Sequence, residues 1–135
     1  MLAEVAKKYY LEGDYNCAES VLLAANEVYA LGLDPDTCYR LVSAFGGGMG
    51  CGSVCGALAG AMAALGQVAV TGRAHATEGF KDLCAGFVAA FEKELGAQDC
   101  RTLKERYFAE GSRCLQTVVL ACGVLEKQME QLRGA

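Results

Sequence analysis

The groups in this chain best suited to chemistry are its thiols: eight cysteines accompany a single histidine, His75. A cysteine acts through its thiolate, which attacks disulfides and ligates metals, so the useful question is which of the eight sit where a negative charge is favoured. Cys17 follows Asn16, a good helix N-cap with Glu19 three positions on. Cys55 comes two residues after Ser53, Cys100 follows the capping-type residue Asp99, and Cys114 comes two residues after Ser112. All four therefore read as first-turn residues of helices. The unpaired N–H groups and the dipole at a helix start favour a thiolate there, so the sequence predicts lowered pKa values for these four.

The other four cysteines read differently. Cys84 lies among Phe80, Phe87, Val88 and Phe91 at helical spacings, and Cys122 among Val118, Val119 and Leu125, so both are expected to be inert, shielded core residues. Cys38, a turn inside its helix, is expected to be structural as well. Cys51, four residues before Cys55 in a glycine-rich loop, fits either class.

Positioning these thiols falls to helices. Apolar residues recur at helical spacing nearly throughout, and no sustained alternation of β-branched and aromatic residues argues for a strand. Helices are expected at about 2–12, 16–31, 35–45, 53–70, 74–95, 100–108 and 113–132, broken at Gly13, Gly32, the 46–52 glycine run, Gly72, Gly96 and Gly111. The only proline, Pro35, follows Asp34, a start signal because the N–H that proline lacks would be unpaired there anyway. The expected fold class is all-α: one compact multi-helix bundle over residues 1–135, with a glycine-rich loop before a central buried helix.

Residues 54–70 are almost wholly apolar, but the run is shorter than the ~20 residues that cross a bilayer and contains Gln67. A buried helix is the expectation, and its Gly52, Gly56 and Gly60, four apart, mark a backbone that a neighbour approaches closely. The 46–52 loop fails both phosphate-binding patterns. The third glycine of Gly-x-Gly-x-x-Gly is missing in every register, no Gly-Lys pair follows, and the preceding segment reads as helix. A tight-packing turn around Cys55 is expected instead.

Composition narrows the function. With 12 basic against 16 acidic residues the net charge is −4, and the basic residues form no stripe, which argues against nucleic acid as partner. The N-terminal residues lack the basic-then-apolar pattern of a secretory signal, so a cytoplasmic location is expected, where thiols serve as ligands or reactants more often than as bridges. One histidine cannot build a His-rich metal site. No Gly-x-Ser-x-Gly elbow or catalytic carboxylate pair stands out. Hydrophobic residues make up 53% of the chain, much of it Ala, which leads to the expectation of a homodimer or partner complex.

The run Cys55-Gly56-Ala57-Leu58-Ala59-Gly60 matches the CGAxxG motif of a redox-active protein family, C_GCAxxG_C_C. Tyr15-Asn16-Cys17-Ala18-Glu19-Ser20-Val21 resembles its N-terminal cysteine motif, and Phe45-Gly46-Gly47-Gly48-Met49-Gly50 its glycine loop. Asp99-Cys100-Arg101-Thr102-Leu103 resembles its third cysteine segment, with Cys114 at the place of the fourth. Cys51, Cys84 and Cys122 depart from the pattern, and Cys38 is variable in it. The resemblance implies a redox role for Cys17, Cys55, Cys100 and Cys114, the same four that the helix-start argument selects.

Three functions compete. One is thiol–disulfide exchange with a redox partner protein or a small thiol or disulfide, with Cys17, Cys55, Cys100 and Cys114 as the catalytic set. In the second, the same four thiolates hold an iron–sulfur cluster or zinc. The third is a non-catalytic helical interaction protein with incidental cysteines. At least one pair of the four is expected within disulfide or shared-metal distance, with Cys55 as the central thiol and Cys100 with Cys114 as the next choice of neighbours.

Overall fold

The computed structural model describes residues 1–134, and 75% of the chain is helical. Among the described residues seven α-helices follow one another: α1 (Leu2–Leu11), α2 (Cys17–Tyr29), α3 (Pro35–Val42), α4 (Gly56–Ala69), α5 (Phe80–Leu95), α6 (Cys100–Tyr107) and α7 (Leu115–Arg133). Among the described residues the only β pairing is two isolated antiparallel bridges, Val54 with Asp99 and Ala109 with Arg113.

The helix starts form for the reasons their sequences carry. Asn16 accepts from the Glu19 backbone N–H at 2.9 Å while Glu19 Oε1 accepts from Asn16 N–H at 2.8 Å, a reciprocal capping box. Asp34 accepts from Thr37 N–H at 3.0 Å, with Pro35 opening α3. Asp99 accepts from Thr102 N–H at 2.8 Å.

Two expected helices are shorter than their apolar pattern. The third ends at Val42 and passes into a tight turn over Ser43–Phe45. The fifth begins at Phe80 rather than residue 74. Thr77 Oγ1 accepts from Thr71 N–H and lies 2.9 Å from the Arg73 carbonyl, so a side chain takes backbone partners that a helix would use, and Gly79 at φ +75° breaks the approach.

The centre of the bundle is the pair α2 and α4. Seven residues of α2 and seven of α4 are buried, on more than one face of each helix. Gly60 permits their close approach: a Cβ there would stand 2.5 Å from the Ala18 carbonyl oxygen on α2. Helix α1 lies against α2 and α7, and α7 also packs on α4 and α5. Phe87, Phe91 and Leu95, four apart on α5, face inward and are fully buried, each contributing roughly 1.5–3 kcal/mol of hydrophobic stabilisation. No helix among the described residues is long and apolar enough to cross a membrane. Within the apolar run at 54–70, residues Gly56–Ala69 form the buried helix α4, while Val54 lies outside it and is exposed.

Candidate functional site

Helix starts from four parts of the chain meet at one cavity. Cys17 and Cys100 are the first residues of α2 and α6, and Cys55 and Cys114 are the N-caps of α4 and α7. Two backbone clasps bring them together. Cys55 N–H donates to the Gln98 carbonyl at 2.8 Å and Cys100 N–H to the Ser53 carbonyl at 2.6 Å, which pins the start of α4 beside the start of α6. The second clasp folds the α6–α7 connection back: Arg113 N–H donates to the Ala109 carbonyl at 2.6 Å and Ala109 N–H to the Arg113 carbonyl at 3.0 Å. Arg113 holds a left-handed φ of +56°, an uncommon conformation for a residue with a Cβ.

The glycine loop closes around this arrangement. At Gly48, φ is +63° and a side chain would strike the Cβ of Cys100 and the Ser53 backbone. At Gly56 a Cβ would stand 2.8 Å from the Phe45 carbonyl oxygen. The loop is thus the expected tight-packing turn, fitted to Cys100 as much as to Cys55.

Helix α1 supplies a residue that the thiol pattern gave no reason to include. Tyr10, buried, accepts at its hydroxyl from Cys114 N–H at 3.1 Å. The Arg113 guanidinium lies 4.6 Å from the Tyr10 ring centroid and donates to the Tyr10 carbonyl at 3.4 Å. The half-open cavity, about 200 Å3, is lined by all four thiols together with Tyr10, Leu103, Lys104, Phe108 and Arg113. Sequence signals for three of these exist. Tyr10 continues the buried α1 stripe of Leu2 and Ala6, Lys104 lies one helical turn after Cys100, and Arg113 directly precedes Cys114.

The electrostatics differ from the uniform lowering expected of helix-start thiols. Cys17 and Cys114 line the same cavity and interact with each other more strongly than with its other thiols. The interaction with Cys114 pushes the Cys17 thiol far up, with burial adding to the effect. Cys114 is lowered from 9.0 to about 6: the interaction with Cys17 is the largest cause, burial opposes it, and Lys104, the Tyr10 hydroxyl and Arg113 add to the lowering. Cys55 is raised by burial despite the backbone N–H groups of Leu58 and Ala57 that face it. Cys100 is raised by burial despite Lys104. Cys55 is only 4% exposed and Cys100 8%. A helix terminus is worth about 0.3–1 kcal/mol to an exposed charge, whereas burial moves a pKa by up to 3–5 units, so desolvation wins at these two sites.

The pair most strongly coupled through its electrostatics is therefore Cys17 with Cys114. Cys55, expected to be central, lies in the cavity wall, and Cys100 shares the cavity with Cys114 because the chain does double back. Among the described residues no three His, Cys, Asp or Glu side chains are disposed to hold a metal ion.

All eight cysteines are free thiols. Cys38 and Cys122 are buried as expected, and burial drives the Cys122 thiol up to about 12. Cys84 is only half-buried. The neighbouring Leu83, not Cys84, packs against the core one turn before Phe87, which leaves Cys84 at the edge of the buried face. Cys51 is exposed, with its Sγ 3.6 Å from the Gly48 carbonyl, outside the cavity lining. His75 sits exposed in the turn before α5.

No curated protein and no solved structure matches the chain. The family model described as "Putative redox-active protein (C_GCAxxG_C_C)" matches residues 15–128, a span that contains all four cavity cysteines. That match covers most of the sequence, and by it the chain belongs to the C_GCAxxG_C_C family.

Proposed function

We propose that this protein is a thiol–disulfide oxidoreductase in which Cys114 is the attacking thiol and Cys17 the resolving one. The observation that carries the reading is that Cys17 and Cys114, brought from the starts of α2 and α7, line one cavity, where their interaction raises the Cys17 thiol and lowers Cys114 to about 6. A thiolate next to a protonated partner is poised for two successive displacements. In the first, Cys114 thiolate attacks one sulfur of a disulfide, forming a mixed disulfide and expelling one thiolate. The second step begins when Cys17 gives up its proton, to the departing thiolate or to solvent. Cys17 sulfur then attacks Cys114 sulfur and expels the second thiol. One substrate disulfide is reduced to two thiols, and the protein's two thiols become the Cys17–Cys114 disulfide. Two electrons pass in all.

Lys104 and Arg113 stabilise the Cys114 thiolate before attack, and the Tyr10 hydroxyl fixes the Cys114 backbone. Cys55 and Cys100, kept protonated by burial, form the wall beside the pair.

The test is to treat the reduced protein with hydroxyethyl disulfide and map its bridges by mass spectrometry. The expected product is a Cys17–Cys114 bridge in the native protein and a stable mixed disulfide on Cys114 in Cys17→Ser. A principal bridge elsewhere, or a Cys114 in Cys17→Ser that stays unmodified, would overturn the assignment.

A further inference from the structure

The cavity that holds the thiols also restricts what can reach them. At about 200 Å3 it lies below the usual ~300–1,000 Å3 of drug-sized ligand pockets. That volume suits a compact molecule.

Its charge is one-sided. Lys104 and Arg113 line it, and no Asp or Glu does. Arg113 is already engaged, donating to the Tyr10 carbonyl at 3.4 Å, stacked on the Tyr10 ring, and 4.0 Å from Asp14 Oδ1. Lys104 is exposed, and no ion pair holds it among the described residues. It stands one helical turn from Cys100 on α6, beside the apolar side chains of Leu103 and Phe108.

We infer that the disulfide exchanged at this site is a small, carboxylate-bearing one, seated with a sulfur at Cys114 and its anionic group at Lys104. The inference rests on the thiol–disulfide reading above and adds the substrate class; the bonds made and broken are those of the exchange already described. Leu103 and Phe108 cover the methylene groups beside the sulfurs. Lys104, which also favours the Cys114 thiolate, sets specificity here by meeting the anionic group of the substrate.

Three small disulfides of different charge test this: dithiodiglycolate (anionic), hydroxyethyl disulfide (neutral) and cystamine (cationic). The rate at which each oxidises the Cys17–Cys114 pair is divided by its rate with free mercaptoethanol, which removes intrinsic reactivity. The expected order is anion, neutral, cation, with an overall spread of roughly five- to tenfold at low salt that shrinks as salt screens the exposed lysine. Lys104→Gln should flatten the order and Lys104→Arg should keep it. Because each comparison is a ratio between substrates within one variant, any change in Cys114 acidity cancels. Equal normalised rates, a preference for cystamine, or an order unchanged by Lys104→Gln would overturn the substrate class while leaving the exchange chemistry standing. If none of the three disulfides oxidises the pair, the exchange reading itself falls, and the substrate class with it.

Discussion

Replacing Cys17 by Ala removes the largest single cause of the low Cys114 pKa, and the consequence can be worked through. With a pKa of about 6, Cys114 is about 90% thiolate at pH 7; at the ordinary value of 9.0 it would be about 1%. The gain in thiolate is therefore roughly 90-fold. Intrinsic nucleophilicity falls with basicity along a Brønsted slope of about 0.4–0.5, which over that change in pKa costs roughly 15- to 30-fold. The net advantage of the pair at pH 7 is only about three- to sixfold, so a rate at one pH is a poor test. The midpoint of the pH profile is a good one. We expect modification of Cys114 by hydroxyethyl disulfide, followed peptide by peptide from pH 4 to pH 10, to rise with a midpoint near 6 in the native protein. In Cys17→Ala the midpoint should climb toward 9.0, since Lys104, Tyr10 and Arg113 still lower it while burial opposes them. A native midpoint near 9, or a midpoint in Cys17→Ala that stays near 6, would refute the claim that the Cys17 thiol sets the acidity.

Tyr10→Phe should raise the Cys114 midpoint in the same assay by less than Cys17→Ala, because the tyrosine hydroxyl is the smaller cause; an equal or larger rise would reverse their order. Gly60→Ala should lower thermal stability. Its Cβ would meet α2 backbone at 2.5 Å, and an overpacking cost of about 1–3 kcal/mol outweighs the roughly 1 kcal/mol that alanine adds to helix propensity, so an unchanged or higher Tm would contradict the packing argument. Burial raises Cys122 to about 12 against an ordinary 9.0, so the folded state keeps a proton that the unfolded chain loses. That contribution to stability is fully present below pH 9 and lost as pH rises toward 12. Cys122→Ala should therefore lose less stability between pH 9 and pH 12 than the native chain, as measured by urea titration. Native-state alkylation should label Cys51 quickly, Cys84 at an intermediate rate, and Cys38 and Cys122 only on unfolding; rapid labelling of Cys122 would contradict its burial.

The sequence by itself determined the starts of α2, α3 and α6 and that four thiols stand at helix starts, although Cys55 and Cys114 are N-caps of helices beginning at Gly56 and Leu115 and not first-turn residues after Ser53 and Ser112. Capping depends on a few neighbouring residues, as Asn16 with Glu19, Asp34 with Pro35 and Asp99 with Thr102 illustrate. It also marked Gly60 as a point of close approach, because glycine repeated along an apolar helix has little other use. The start of α5 was less legible, since Thr77 satisfies backbone groups through a local side-chain contact that competes with the helical period. Tertiary structure decided which thiols share a cavity and in which direction each pKa moves. Cys17 and Cys114 are 97 positions apart in the sequence, and Tyr10 meets Cys114 only because α1 packs on α7. The helix-start argument assigned one sign to all four thiols, since a terminal dipole is a local property. Exclusion of water depends on every element around the group, and it raises Cys55 and Cys100 where the dipole alone would lower them.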